Sequence, residues 1–235
     1  ISTAVSIPAF GSFALLSNGC IMAWGWNYNG DAGVGCTTGP TGLSVPQLVC
    51  GISTAIALGQ SQAILADGTV RSWGGGGTGT NGDNTTTSRN TPVAVCSITN
   101  AVAVRRGYAS SIALLANGCI MTWGDNGHGN LGDGTTVSKS TPVMVCGIST
   151  AVAIAATADN YAALLMNGSL RAWGEGGTCA NGDGTNSTRC IPVPVCVVAN
   201  AFGTVSQARG ITRRKPTVLA GGSGEGYAFL FIHRG

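Results

Sequence analysis

Four Trp-Gly pairs, Trp24-Gly25, Trp73-Gly74, Trp123-Gly124 and Trp173-Gly174, recur at intervals of 49, 50 and 50 residues. A self-similarity of about 50 residues makes the chain an array of one supersecondary unit, which restricts it to solenoids and propellers.

The unit starts on an apolar strand, Ala14-Leu15-Leu16, matched by Ala63-Ile64-Leu65, Ala113-Leu114-Leu115 and Ala163-Leu164-Leu165. A tight turn follows at Asn18-Gly19, Asp67-Gly68, Asn117-Gly118 and Asn167-Gly168. Asn/Asp-Gly supplies the positive backbone angles of a two-residue hairpin. Next comes a strand of alternating apolar positions, such as Cys119-Ile120-Met121-Thr122-Trp123, and then a Gly/Asn-rich loop with Gly-Asp beginning at 30, 82, 132 and 182. Pro46, Pro92, Pro142 and Pro192 each begin a Pro-Val-x-Val-Cys-like stretch. Proline is expected there as the first residue of an outer strand, where a missing donor costs nothing. A last strand, Ala55-Ile56-Ala57, Ala101-Val102-Ala103 or Ala151-Val152-Ala153, is small and β-branched, as suits strands crowded near an axis. Four short strands per unit, tight turns and no helical periodicity predict an all-β propeller of four-stranded antiparallel blades, with four full units and partial ones.

The run from Ala113 to Gly124, followed by Gly129-Asn130-Leu131-Gly132-Asp133-Gly134, resembles the regulator of chromosome condensation repeat. The resemblance spans residues 1–208, where turn, Trp-Gly, Gly-Asp loop and proline strand recur in order four times. It implies a seven-bladed propeller, with the Trp-Gly strand third in each blade and the proline strand outermost. Seven blades at this period need about 350 residues, and Ile1-Ser2-Thr3-Ala4-Val5 repeats Ile148-Ser149-Thr150-Ala151-Val152 in mid-unit. Either further residues lie upstream, or several chains or partial blades complete the ring. The domain reading is propeller repeats over 1–208 and a basic insertion with a partial fifth unit over 209–235, where Ala228-Phe229-Leu230 falls 65 residues after Ala163.

Only 9% of residues are charged, against about 25% in an ordinary domain. A surface of Thr, Ser, Asn and Gly is more natural to a secreted, glycosylated or assembled protein than to a cytosolic one, and the expected setting is extracellular or cell-surface. No apolar run is long enough to span a membrane. The net charge of +3 belongs to the tail: residues 1–208 hold seven Lys/Arg and eight Asp/Glu, residues 209–235 five and one. The run at Arg209, Arg213, Arg214 and Lys215 reads as a solvated insertion loop, so no nucleic-acid partner is expected.

Nine cysteines are many for a cytosolic chain of this length. Cys50, Cys96, Cys146 and Cys196 each follow the repeat proline by four residues, and Cys20 and Cys119 each precede the repeat Trp by four. Antiparallel pairing with Trp opposite Pro sets Cys20 opposite Cys50 and Cys119 opposite Cys146, where cross-strand bridges are sterically possible. Cys179 and Cys190 are candidates to close the fourth unit's loop. Cys36, Cys96 and Cys196 are left as unpaired or intermolecular thiols, and the odd total requires at least one. The alternative is small buried hydrophobes in a reducing compartment. Sequons at Asn84, Asn167 and Asn186 are glycosylation candidates, two of them in the loop after Gly-Asp.

Several motifs dissolve on inspection. Gly77-Thr78-Gly79-Thr80-Asn81-Gly82 and Gly127-His128-Gly129-Asn130-Leu131-Gly132 match the dinucleotide fingerprint, yet neither opens a helix in a βαβ unit. Asp125-x-Gly127-x-Gly129 lacks the alternate oxygen side chains of a calcium loop. No Cys-x-x-Cys exists, and His128 and His233 lie far apart, so neither a metal nor a cofactor is expected. With no Ser-His or Cys-His constellation the chain reads as a non-enzyme, and a small-molecule substrate is not expected. Trp26, Tyr28, Tyr108 and Tyr161 fall in or beside connecting segments and are the binding-face candidates. Two functions stay open. One is an extracellular structural or adhesive building block that self-associates, even as a filament, through unpaired blade edges. The other is a soluble protein-binding module, for which the resemblance implies an exchange-factor-like or enzyme-inhibitor-like role.

Overall fold

A computed structural model of the chain describes residues 3–7, 12–38, 42–177 and 179–196, with two further strands at 217–219 and 230–232. The four arginine and lysine positions of the basic run, Arg209 to Lys215, lie outside the described residues, as do Ala228, Phe229 and His233.

Sixteen strands form four antiparallel four-stranded sheets in chain order. Blade 1 holds β1 (Ala4–Ser6), β2 (Phe13–Leu16), β3 (Ile21–Gly25) and β4 (Leu43–Leu48). Blade 2 holds β5 (Ala55–Gly59), β6 (Gln62–Leu65), β7 (Val70–Gly74) and β8 (Arg89–Ala94). Blade 3 holds β9 (Ala101–Arg106), β10 (Ser110–Leu115), β11 (Ile120–Gly124) and β12 (Lys139–Met144). Blade 4 holds β13 (Ala151–Ala156), β14 (Asn160–Leu165), β15 (Leu170–Gly174) and β16 (Arg189–Pro194). A separate hairpin pairs β17 (Thr217–Leu219) with β18 (Leu230–Ile232), and β17 lies against β13. The Trp-Gly strand is third in every blade and the proline strand is the outer edge. No described residue is helical.

Two expectations about phase change. The segment expected as an N-terminal partial unit supplies β1, the first strand of blade 1, paired with β2; a repeat can be cut at any strand, but the sheet begins at its inner edge. The prolines are fourth in their strands, not first. Thr122 pairs with Val143 while Gly124 pairs with Lys139, so β12 carries extra residues just before Pro142, and the other outer strands shift alike. Within such a bulge proline's missing N–H breaks no ladder bond. A second bulge recurs on the inner strands, where Val5, Ile56, Val102 and Val152 are each skipped by the register and turned out to solvent.

The core lies between consecutive blades rather than at one centre, in three clusters that join blades 1 and 2, 2 and 3, and 3 and 4. Each joint is built around one buried indole. Trp73, Trp123 and Trp173 are fully buried, and each donates its Nε1–H to a carbonyl one blade back: Asp31 at 3.0 Å, Thr80 at 2.9 Å and Asn130 at 2.9 Å. Two residues after that carbonyl stands a glycine of positive φ, Gly33, Gly82 or Gly132, on which a Cβ would come within 2.9 Å of the ring. A further backbone bond closes the outer end of each joint: Gly35 N–H to Asn90 O at 2.8 Å, Asn84 N–H to Ser140 O at 3.0 Å, Gly134 N–H to Cys190 O at 2.9 Å. An indole edge that burial would otherwise leave without a partner is thereby satisfied at every joint.

Candidate protein-binding face

The loops after the Trp-Gly strands and the turns before the second strands share one rim of the molecule, since Ser110 at the start of β10 pairs with Gly124 at the end of β11. These loops are long and glycine-rich, so something has to hold them. One fully buried asparagine per blade does so. In blades 1 and 3 it stands at the loop entry: Asn27 accepts from Ala32 N–H at 3.0 Å and donates to Cys36 O at 2.9 Å, and Asn126 accepts from Leu131 N–H at 2.9 Å and donates to Thr135 O at 3.0 Å. In blades 2 and 4 the entry residue is Gly76 or Gly176, and the asparagine comes from the other side of the loop. Asn81 donates to Gly74 O at 3.1 Å and Thr87 O at 3.3 Å, and Asn181 to Gly174 O at 3.1 Å and Ser187 O at 3.4 Å.

Blades 2 and 4 share a second device. Arg89 Nε donates to Asp83 Oδ2 at 2.7 Å, and Arg189 Nε to Asp183 Oδ2 at 2.6 Å, with Thr85 and Thr185 donating to the same carboxylates. Burial opposes ionisation of Asp83, but the hydrogen bonds from Thr85 and Arg89 and the arginine's charge outweigh it, holding its carboxyl below the ordinary range. Asp183 is held down by the same set of causes. From β9, Arg106 reaches back to blade 2 and donates to Trp73 O at 2.9 Å and Gly75 O at 2.7 Å. Burial lowers the pKa of its guanidinium, countered by Asp31. The rim is therefore a fixed surface, not a fringe of loose loops.

On this fixed rim three aromatic side chains face solvent. Trp26 and Tyr28 stack on each other with ring centroids 5.9 Å apart and 28° between planes, at 60% and 56% exposure. Tyr108, in the turn between β9 and β10, is 84% exposed. Tyr161, expected on the binding face, is wholly buried instead. It is the second residue of β14, where the sheet turns it into the joint between blades 3 and 4; its hydroxyl bonds Ser110 at 2.7 Å and its ring packs 6.1 Å from Trp173. Burial pushes its pKa well up, partly offset by hydrogen bonds from Ser110 and Gly107 and by the Arg106 charge.

All nine cysteines are free thiols in the structure. The register of Met22 with Leu48 and Met121 with Met144, extended two residues, sets position 20 opposite 50 and 119 opposite 146. Between them, Val49 N–H bonds Ile21 O and Val145 N–H bonds Ile120 O. Cys50 Sγ, however, lies 3.4 Å from where a Cβ at Gly35 would be, against its own blade's loop. Cys179 donates its thiol to Asn186 Oδ1 at 2.6 Å, and Cys190 backs onto Gly129. Cys36, Cys146, Cys179 and Cys196 are exposed, and Cys96 is half-buried. Of the sequons, Asn84 and Asn186 are exposed on the loop rim. Asn167 sits in the opposite hairpin, its Oδ1 taking up Ser169 N–H at 3.0 Å and Ser169 Oγ at 2.7 Å. Among the described residues no group of three His, Cys, Asp or Glu side chains is placed to hold a metal, and no helix is long and apolar enough to cross a membrane.

Residues 117–164, one hairpin-to-hairpin repeat running from blade 3 into blade 4, match the regulator of chromosome condensation (RCC1) repeat. No curated protein matches the chain in sequence. Among solved structures the chain is similar to human WBSCR16, with TM-score 0.71 and 20% identity over 83% of this chain and 53% of that one. It is likewise similar to yeast RCC1 (Prp20) in its complex with Kap60, with TM-score 0.70 and 20% identity over 80% of this chain and 47% of that one. Prp20p from Saccharomyces cerevisiae, in a structure described together with its binding to Gsp1p and histones, aligns with TM-score 0.68 at 20% identity over 80% and 48%. The chain thus spans about half the length of the structures it resembles. Four blades joined through buried indoles, with the RCC1 repeat matched across the third and fourth, give this chain the fold of the RCC1-like β-propellers.

Proposed function

We propose that this chain is a non-catalytic protein-binding propeller whose contact surface is the loop rim carrying Trp26, Tyr28 and Tyr108. The observation that carries this reading is the stacked, solvent-facing Trp26–Tyr28 pair on a loop fixed by Asn27. Large aromatic side chains held rigid on a surface lose little entropy on docking and dominate interface energetics. Exposed aromatics of this size serve the core of an isolated domain poorly, which supports a partner. The structural neighbours include a protein whose binding to Gsp1p and histones is described, so protein recognition by this fold has precedent. The low charge and the exposed sequons at Asn84 and Asn186 support an extracellular or cell-surface setting.

The test is site-specific cross-linking in extract or culture fluid of the source, with a photoreactive residue at position 26, 28 or 108 and a control at Asn117 on the opposite hairpin rim. The expected result is one protein adduct common to the three rim positions and absent at 117. Adducts formed equally from both rims, or from none, overturn the assignment of the face.

A further inference from the structure

The outer flank of the joint between blades 3 and 4 opens into a cleft of about 210 Å³, lined by Cys146, Gly147 and Ile148 from the connection between the blades and by Arg171, Ile191 and Pro192 of blade 4. Pockets for drug-sized ligands hold roughly 300–1,000 Å³, so this one admits only a small molecule. Its walls are partly apolar. Ile148 is buried, and Ile191 stands 50% exposed where β8 and β12 carry Thr91 and Thr141.

The polar groups of the cleft are a thiol and a guanidinium. Cys146 is exposed, whereas Cys50 and Cys96, its counterparts at the other two joints, are half-buried. Arg171 pairs with Pro194 as Met121 pairs with Met144 and Arg71 with Ala94, so the residues that match the pair Cys146 and Arg171 are Cys96 and Met121 in one joint and Cys50 and Arg71 in the other. The Arg171 charge is uncompensated. Arg89 and Arg189 are neutralised by Asp83 and Asp183, and Arg106 is engaged by two carbonyls. The Arg71 charge acts on the Asp67 carboxylate, but the same turn position of blade 4 is Asn167. Among the described residues Arg171 has neither a hydrogen bond nor a carboxylate within salt-bridge distance. A free guanidinium and an exposed thiol in one small cleft with apolar walls fit a ligand that carries a carboxylate at one end and sulfur at the other.

We infer that this cleft is a modification site, at which Cys146 takes up a carboxylate-bearing thiol of low molecular weight as a mixed disulfide, with Arg171 holding the carboxylate. The co-reactant is the disulfide of that small thiol. The Cys146 thiolate attacks one of its two sulfurs, and a new S–S bond forms at Sγ as the reagent's own bond breaks. The other half leaves as a thiolate and takes up the proton that Cys146 released. Cys146 is oxidised and the leaving half is reduced, so no further oxidant is needed. The site is independent of the aromatic rim.

Two disulfides of matched size and opposite charge, dithiodipropionate and cystamine, test this on the full chain, with the adduct at each cysteine read by peptide mapping without reduction. The expected result is that Cys146 favours the anionic reagent over the cationic one by about threefold to fivefold more than Cys36 or Cys96 does, the factor that one exposed arginine–carboxylate pair supplies. Added salt should erase that preference in wild type, a readout that needs no variant to fold. Arg171→Met, which installs the side chain blade 3 carries there, should bring Cys146 to the ratio of Cys96, and Arg171→Lys should keep part of the preference. A charge preference at Cys146 no greater than at Cys36, a preference that survives Arg171→Met, or a Cys119–Cys146 bridge in the isolated protein overturns the site.

Discussion

The glycine at position 82 lies flat against the indole of Trp123 one blade further on: a Cβ added there would sit 2.8 Å from Nε1 and 2.9 Å from Cδ1. The relation recurs between Gly33 and Trp73 and between Gly132 and Trp173. These are contacts between neighbouring units, so the Trp-Gly period and the glycine loop are two halves of one joint.

Gly82→Ala is therefore expected to cost about 2–4 kcal/mol, combining left-handed backbone strain of about 1 kcal/mol with overpacking of about 1–3 kcal/mol. Gly51→Ala is the control. Its φ is also positive but a Cβ there meets nothing within 4 Å, so only the strain of about 1 kcal/mol should remain. Urea unfolding of both variants measures the difference, and equal losses would show that the indole yields freely.

Tyr161→Phe removes a hydroxyl whose partner, Ser110, is itself buried, and should cost about 1–3 kcal/mol. Trp26→Ala and Tyr28→Ala each remove a solvent-facing ring and should stay within about 0.5 kcal/mol of wild type. Thermal or chemical denaturation thus separates the buried tyrosine from the exposed pair, and a large loss at Trp26 would reassign it to packing.

Acid should weaken blades 2 and 4 through their aspartates. Asp83 has a lower pKa in the folded protein than in the unfolded chain, so the stability it contributes is fully present above the unfolded value of about 4 and fades as pH falls below it. Asp83→Asn should lower stability at neutral pH and flatten the decline below about pH 4. Denaturation midpoints measured from pH 7 to pH 2 check this, and parallel curves for variant and wild type would remove Asp83 from the acid response.

Native thiol labelling should divide the cysteines. Cys36, Cys146, Cys179 and Cys196 are exposed and should react first, with Cys20, Cys50, Cys96, Cys119 and Cys190 slower. Peptide mapping without reduction reads the same sites for bridges between Cys20 and Cys50 or between Cys119 and Cys146, the pairs that the strand register places opposite each other.

What the sequence displays and what it hides divide along physical lines. The Asn18-Gly19 and Asn117-Gly118 hairpins are visible because a two-residue turn needs its own residue types, and the Trp-Gly strands because the same kind of partner meets Trp73, Trp123 and Trp173. The bulges are hidden: Pro142 sits at a register shift and Val102 is skipped by the ladder, and neither shift alters the residue pattern along its strand. Tyr161 was misleading for the same reason, since a residue beside a turn faces solvent or core according to strand phase. The exposed positions of Trp26, Tyr28 and Tyr108 required the folded loops to be seen.

The alternation of the loop-fixing asparagine has a consequence for anyone averaging these units into an idealised consensus. A Cβ at Gly76 would come 2.8 Å from Asn81 Nδ2 and 2.2 Å from Thr87 O, so the two loop types cannot be blended position by position. A majority vote at each column can write an asparagine on both sides of the loop, which then compete for one hole, or on neither, which leaves its carbonyls dry and unpaired. Each loop has to be inherited whole.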